Sequence, residues 1–146
     1  MKKVELYTDG ACQGNPGPGG WAALLLYGGN EKLVTGSDPD TTNNRMELMA
    51  VIGGLEALKE PVELTVFSDS KYITNAFNQH WIDNWVDNRW KASTGKPVKN
   101  PDLWQKILEL KRPHQIEWKW VKGHSGNVHN ERVDQAAVNA SFQTIP

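Results

Sequence analysis

Hydrophobic and polar positions change period several times along the chain, and each change marks an element. Val4, Leu6 and Thr8 alternate with Glu5 and Tyr7, the period of a half-buried strand, which carries Asp9 to the strand's end beside Gly10. Trp21 to Tyr27, WAALLLY, is an unbroken apolar run that reads as a buried strand, and Gly28-Gly29-Asn30 turns it into a third around Lys32 to Thr35. Links this short predict an antiparallel meander. Thr41-Thr42-Asn43-Asn44 then offers caps for a helix from about Arg45 to Lys59, apolar on most of its circumference through Met46, Leu48, Met49, Val51, Ile52 and Leu55, and Pro61 stops it. Val62 to Phe67 reads as a fourth strand, and Ser68-Asp69-Ser70 leads into a helix through Tyr72, Ile73 and Phe77. Pro101 to Lys111 predicts another helix, Gln115 to Val121 a fifth strand, and Asn130 to Phe142 a last helix packing through Val133, Ala136, Ala137 and Ala140. Strands and helices alternate only in the second half. The fold class is therefore α/β: a five-stranded mixed sheet, three antiparallel strands then two parallel, with helices on both faces.

A chain of 146 residues fits one domain, expected to span 1–146 and to bury about two-thirds of its unfolded surface. With 23% charged and 38% hydrophobic residues it should be folded throughout. Met1-Lys2-Lys3 opens like a signal peptide, but only a strand-length stretch follows, and no run approaches the roughly 20 apolar residues of a membrane span. The expectation is a cytoplasmic protein with no membrane partner, and a monomer, since no oligomerisation seam stands out. A single cysteine, Cys12, excludes an internal disulfide and a zinc site built on cysteines. The glycine-rich stretch Gly14 to Gly20 lacks the Lys-Ser/Thr ending of a nucleotide-binding loop.

Net charge is −1, which taken globally argues against a nucleic-acid partner, but its distribution does not. From His80 to Asn100, Trp81, Trp85 and Trp90 stand among Asn84, Asn88, Arg89, Lys91, Lys96 and Lys99, and Val86 to Lys99 holds four basic residues against one acidic. Such a segment suits a nucleic-acid backbone, cations on phosphates and indoles on sugars or bases. It equally suits an amphipathic helix that turns Trp81 and Trp85, four apart, into a core.

Four acids, Asp9, Glu47, Asp69 and Asp134, each lie where an apolar element meets a polar or glycine-rich turn. Gathered in one cleft, they would repel and raise one another's pKa, and a divalent cation is the usual remedy. Oxygen-only ligation points to Mg²⁺, with Mn²⁺ as a substitute, and two such ions about 3.5–4 Å apart can drive in-line hydrolysis of a phosphodiester without a nucleophilic side chain. Each acid also has an ordinary reading. Asp9-Gly10 can be a turn, Glu47 the reciprocal half of a capping box with Asn44, Asp69 a helix cap, and Asp134 a first-turn acid favoured by the helix dipole. His124, between Gly123 and Gly126, suits a mobile proton carrier or an ordinary surface histidine, and with His114 and His129 it offers a zinc alternative of poor spacing.

TDGACQGNPGPGG, TTNNRMELMA, SDSKY, WVKGHSG and NERVDQAA occur in an order and spacing that resembles bacterial type 1 ribonuclease H, from Val4 to about Ala140. The resemblance implies a ribonuclease H-like fold and an endonuclease that cuts the RNA strand of RNA–DNA hybrids with Mg²⁺, leaving 3′-hydroxyl and 5′-phosphate ends. By block it implies that Asp9, Glu47, Asp69 and Asp134 hold metal, and that His124 assists proton transfer or product departure. Asn15, Asn43, Asn44 and Lys71, with backbone around Cys12 and Gln13, would read RNA through its 2′-hydroxyls. Thr42, Asn84 and Trp85 match a pocket for a DNA-strand phosphate, Trp81 a residue that packs on DNA sugars, and Glu131 a position near the RNA strand.

The sequence departs from that pattern in places. Lys71 stands where a glutamine is usual, trading a neutral hydrogen bonder for a cation, and Asp83 and Asp87 fall inside a segment that is strongly basic in the best-known relatives. Weaker, more salt-sensitive hybrid binding is the expectation. The chain is also expected to lack the longer C-terminal tail and the extra N-terminal hybrid-binding domain of some relatives. Two rival readings remain, a non-catalytic clamp and a DNA nuclease of the same architecture; the four acids oppose the first and the asparagines near the cleft the second.

Overall fold

The computed structural model describes residues 1–143, so the expected short tail at Pro146, with the end of the expected 1–146 domain, lies outside them. The strands are β1 (Lys2–Cys12), β2 (Gly17–Tyr27), β3 (Asn30–Thr41), β4 (Val62–Ser68) and β5 (Gln115–Trp120), and the helices α1 (Asn43–Glu56), α2 (Lys71–Asn78), α3 (Trp81–Asp87), α4 (Pro101–Lys111) and α5 (Val128–Ser141). One sheet takes the order β3-β2-β1-β4-β5. The first three strands pair antiparallel, β4 pairs parallel with both β1 and β5, and the mixed sheet expected from the sequence is confirmed.

Several boundaries move, each for a physical reason. β1 is central rather than half-buried. Tyr7 is buried on the side opposite Leu6, packed with Ala22, Leu24, Val133 and Ala137 beneath α5, and stacks on Phe67 at 4.5 Å. β3 runs past Thr35 through Gly36-Ser37-Asp38-Pro39-Asp40, residues that read as a loop; as an edge strand it tolerates a proline, and the pairing with β2 slips near Gly17 and Gly19. α1 ends at Glu56 instead of Lys59, and begins two residues earlier than expected because Thr42 Oγ1 accepts from the Arg45 N–H at 3.3 Å. Asn127 does the same for α5, its Oδ1 accepting from Asn130 N at 2.9 Å.

The larger core joins Val4, Leu6, Val66 and Leu64 of the sheet to Leu48, Val51 and Leu55 of α1, with Ile73 of α2 and Trp104 and Ile107 of α4 behind. α1 is apolar nearly all round because it lies between the sheet and α4. Two glycines set how closely the helices approach. A Cβ on Gly10 would sit 2.4 Å from the Glu47 backbone nitrogen, and one on Gly20 would sit 2.4 Å from that of Ser141. α1 and α5 thus press against opposite faces of the sheet beside its centre.

Candidate active site

The parallel pairing of β1 with β4 ends at Thr8 opposite Ser68, so Asp9 and Asp69 are the first residues past it on adjacent strands. Side chains gather at such carboxyl ends in α/β sheets. Glu47 reaches them from α1 across Gly10, whose N–H donates to Asp9 Oδ1 at 2.9 Å and to Glu47 Oε1 at 3.2 Å. Asp9, Glu47 and Asp69 each place a carboxylate oxygen within 4.8 Å of the others, and the first two are only 3% and 5% exposed. Asp134, half-buried on the α5 wall, lies near enough for its charge to act on both aspartates.

Three ordinary readings of these acids give way to the geometry. Thr42 caps α1, so Glu47 belongs to no capping box. Ser70, not Asp69, occupies the cap of α2, and Asp134 lies in the second turn of α5, beyond the reach of a first-turn role.

Burial is the main cause that pushes the Asp9 carboxyl up to about 7, with the charges of Asp69 and Asp134 adding to it and a contact from Glu47 opposing. Glu47 is raised well above the carboxylate range, again by burial and then by Asp9, and Asp69 is raised by burial and Asp134. Such groups resist being charged together unless a cation joins them. Glu47 Oε2 is also buried without any hydrogen-bond partner. A buried, orphaned acceptor on a residue of this cluster is what a metal-binding carboxylate looks like before its ion is counted, so these residues fit a hard divalent cation.

His124 stands in the exposed loop after β5 with a left-handed backbone (φ 54°), near enough to Asp69 to help lower its pKa against the larger effect of burial. The three histidines do not converge: His114 Nδ1 accepts from the Val62 N–H at the other end of β4, and His129 packs its ring on Tyr7. The zinc alternative is therefore overturned.

Around the acids, Asn15 Oδ1 accepts from the Asn43 N–H at 3.0 Å, tying the turn before β2 to the start of α1, with Asn44 exposed beside it. Cys12 Sγ approaches the Gly17 and Thr41 carbonyls, and Gln13 is turned away, its Nε2 donating to Ser141 Oγ at 2.8 Å. Both side chains are thus engaged within the fold. Trp85 packs edge-on against Trp104 at 5.4 Å whereas Trp81 is 36% exposed, so one indole of the pair faces in and one out. Asn84 is exposed beside Trp85, Thr42 caps α1, and Glu131 is exposed in the first turn of α5.

Two residues at the site escape a sequence reading. Asn130, 2% exposed, acts on Asp69 to lower its pKa, yet sequence marks it only as a helix start. Trp120 donates its Nε1–H to the Asp69 carbonyl at 3.0 Å, and the alternation QIEWKWV marks it only as a strand position. A groove lined by Glu5, Glu63, Phe67, Glu117 and Lys119 lies apart from the site and includes none of the four acids.

Topology and acid cluster together define a ribonuclease H-like α/β protein. The family model for RNase H matches residues 1–142. A ribonuclease H of Hydrogenovibrio crunogenus is 57% identical over 140 residues, 96% of either chain. The crystal structure of LC9-RNase H1, described as a type 1 RNase H with the type 2 active-site motif, aligns at a TM-score of 0.86 with 33% identity, covering 97% of this chain and 72% of that one. LC11-RNase H1, solved in complex with RNA/DNA hybrid, shares the fold at a TM-score of 0.74 and 23% identity, over 98% of this chain and 99% of that one. The chain belongs to the ribonuclease H family, in its bacterial type 1 branch, and is a ribonuclease H enzyme.

Proposed function

We propose that this protein is a single-domain, monomeric, cytoplasmic endonuclease that cuts the RNA strand of RNA–DNA hybrids with Mg²⁺, Mn²⁺ serving as a substitute. The observation that carries the reading is the meeting of Asp9, Glu47 and Asp69 oxygens within 4.8 Å, from three separate elements, with one Glu47 oxygen unpartnered. The hybrid in the LC11 structure, on the same fold, supports the substrate class.

Asp9, Glu47, Asp69 and Asp134 would hold the metal. Bound there, one or two divalent ions would supply the charge that lets water displace the 3′-oxygen in line, leaving 3′-hydroxyl and 5′-phosphate ends. The Gly10 N–H orients Asp9 and Glu47 toward each other and holds both carboxylates in place before substrate arrives. His124, free in its loop, moves a proton at the leaving oxygen or eases product departure. Asn15, Asn43, Asn44 and Lys71, with backbone at Cys12 and Gln13, face the RNA strand and read its 2′-hydroxyls. Thr42, Asn84 and Trp85 grip a phosphate of the DNA strand, Trp81 packs on its sugars, and Glu131 lies toward the RNA.

The test is one gel. End-labelled hybrid, duplex RNA and duplex DNA are incubated with Mg²⁺, with and without EDTA; only the hybrid should be cut, on its RNA strand, and EDTA should stop it. Equal cleavage of duplex DNA, or cleavage that survives EDTA, would overturn the reading.

A further inference from the structure

Beside the acids, outside every role assigned so far, stands Trp120. It ends β5 opposite Ser68 and remains 45% exposed. Its Nε1–H donates to the Asp69 carbonyl at 3.0 Å, which fixes the indole plane relative to the strand end that presents Asp69. On that ring rests the ammonium of Lys71, its Nζ 4.6 Å from the centroid. Among the described residues five ion pairs form, and Lys71 takes part in none of them. Although Asp69 is two residues away, the lysine lies on the indole and keeps its charge available.

We infer that Trp120 is a positioning residue that stations the Lys71 ammonium at the rim of the acid cluster to engage an RNA-strand phosphate of the hybrid. This deepens the hybrid-cleavage reading above and rests on it. A lysine on a four-carbon stem ordinarily spends much of its time in water. Held over an aromatic face, it loses part of that freedom before the substrate arrives, so less ordering remains to be done on binding. The cation also answers an electrostatic problem of this site, because a cluster of carboxylates repels an incoming polyanion and a fixed positive charge at its edge offsets that field. An uncharged side chain at position 71 could hydrogen-bond but could not do this.

The experiment measures hybrid binding by fluorescence anisotropy in EDTA, so that no cleavage intervenes, across a series of salt concentrations. Four proteins are compared with the parent: Lys71→Gln, Trp120→Leu, Trp120→Phe and the double variant Lys71→Gln/Trp120→Leu. Losing one phosphate contact should lower the slope of log affinity against log salt by about 0.7–0.9 in Lys71→Gln. Trp120→Leu should weaken binding about two- to fivefold, the worth of one exposed cation–π contact, and should do so only when Lys71 is present. Trp120→Phe keeps a ring and should recover most of that loss. A purely structural role for Trp120 predicts the same loss with Gln at position 71 as with Lys, and that result would overturn the inference, as would an unchanged salt slope in Lys71→Gln. A parent protein with no preference for hybrid over duplex DNA would instead overturn the functional reading itself, and this inference with it.

Discussion

At the scale of single residues, the decisive fact is that Asp9 is stored where it does not want its charge. Its pKa is raised to about 7 in the fold from an ordinary 3.8, mainly by burial. Raised folding pKa means that the stabilising effect of the protonated form is complete below about pH 4 and is lost as pH climbs through about 7. Glu47 and Asp69 shift in the same direction, so the metal-free protein should melt lower at pH 8 than at pH 5.5. Asp9→Asn removes one buried charge and relieves Glu47. In EDTA at pH 8 it should therefore raise Tm, each tenfold change in proton affinity being worth about 1.4 kcal/mol, while abolishing Mg²⁺-dependent cleavage and leaving hybrid binding largely intact. A lower Tm at pH 8, or substantial remaining cleavage, would contradict the role given to Asp9. His124 is a different case, because it lies in a loop and ligates nothing in the cluster. His124→Ala should slow turnover on the order of 10²-fold without ending it, and added imidazole should restore part of the rate. A full rate in the alanine variant would remove His124 from proton transfer.

Among the elements, the contact of α1 with β1 controls the site because Gly10 leaves room for it. Gly10→Ala drives a methyl group to 2.4 Å from the Glu47 backbone nitrogen, and backbone on both sides cannot swing away as a side chain would. Overpacking of this kind costs about 1–3 kcal/mol, read as a fall of several degrees in Tm, and should raise the Mg²⁺ concentration needed for half-maximal cleavage. Wild-type stability and metal dependence in the alanine variant would show that the helix does not set Glu47. The same contact explains what sequence can and cannot disclose. WAALLLY and the apolar circumference of α1 announce buried elements, since periodicity reports burial directly. Tyr7 could not be assigned a buried face from alternation, because the layer that covers it, α5, lies more than a hundred residues downstream. β3 beyond Thr35 was hidden behind Gly36 and Pro39, which an edge strand accepts and a central one would not. The acids were legible as residues at junctions, but their meeting depends on Asp9 and Asp69 both following the last parallel pair, a matter of register. Asn130 and Trp120 had no signal of their own, as an asparagine at a helix start and a tryptophan in a strand have commoner explanations.

For the whole molecule, function depends on where charge lies, since the total of −1 conceals both signs. Carboxylates collect at the end of the parallel strands, and the segment from Arg89 to Lys99 carries the opposing cations beyond α3. Asp83 and Asp87 interrupt that positive region on α3 itself, the helix that also carries Trp81, Asn84 and Trp85. Both acids are exposed, so they cost the fold little and act mainly on whatever polyanion approaches. They are not equivalent. Asp83 Oδ2 lies 2.9 Å from His80 Nδ1 and is engaged by that ring, whereas Asp87 takes part in none of the ion pairs among the described residues. Asp87→Asn should therefore tighten hybrid binding about two- to fivefold at low salt, the worth of one exposed charge interaction, and Asp83→Asn should do less. The gain should shrink as salt rises and screening takes over. Measured beside a relative whose α3 lacks both acids, at matched salt, the parent protein should bind the hybrid more weakly and the double asparagine variant should close most of the difference. Equal affinity of parent and relative, or an Asp87→Asn variant that binds no tighter at low salt, would show that α3 meets the hybrid through its indoles and amide alone and that its two acids face away from the DNA strand.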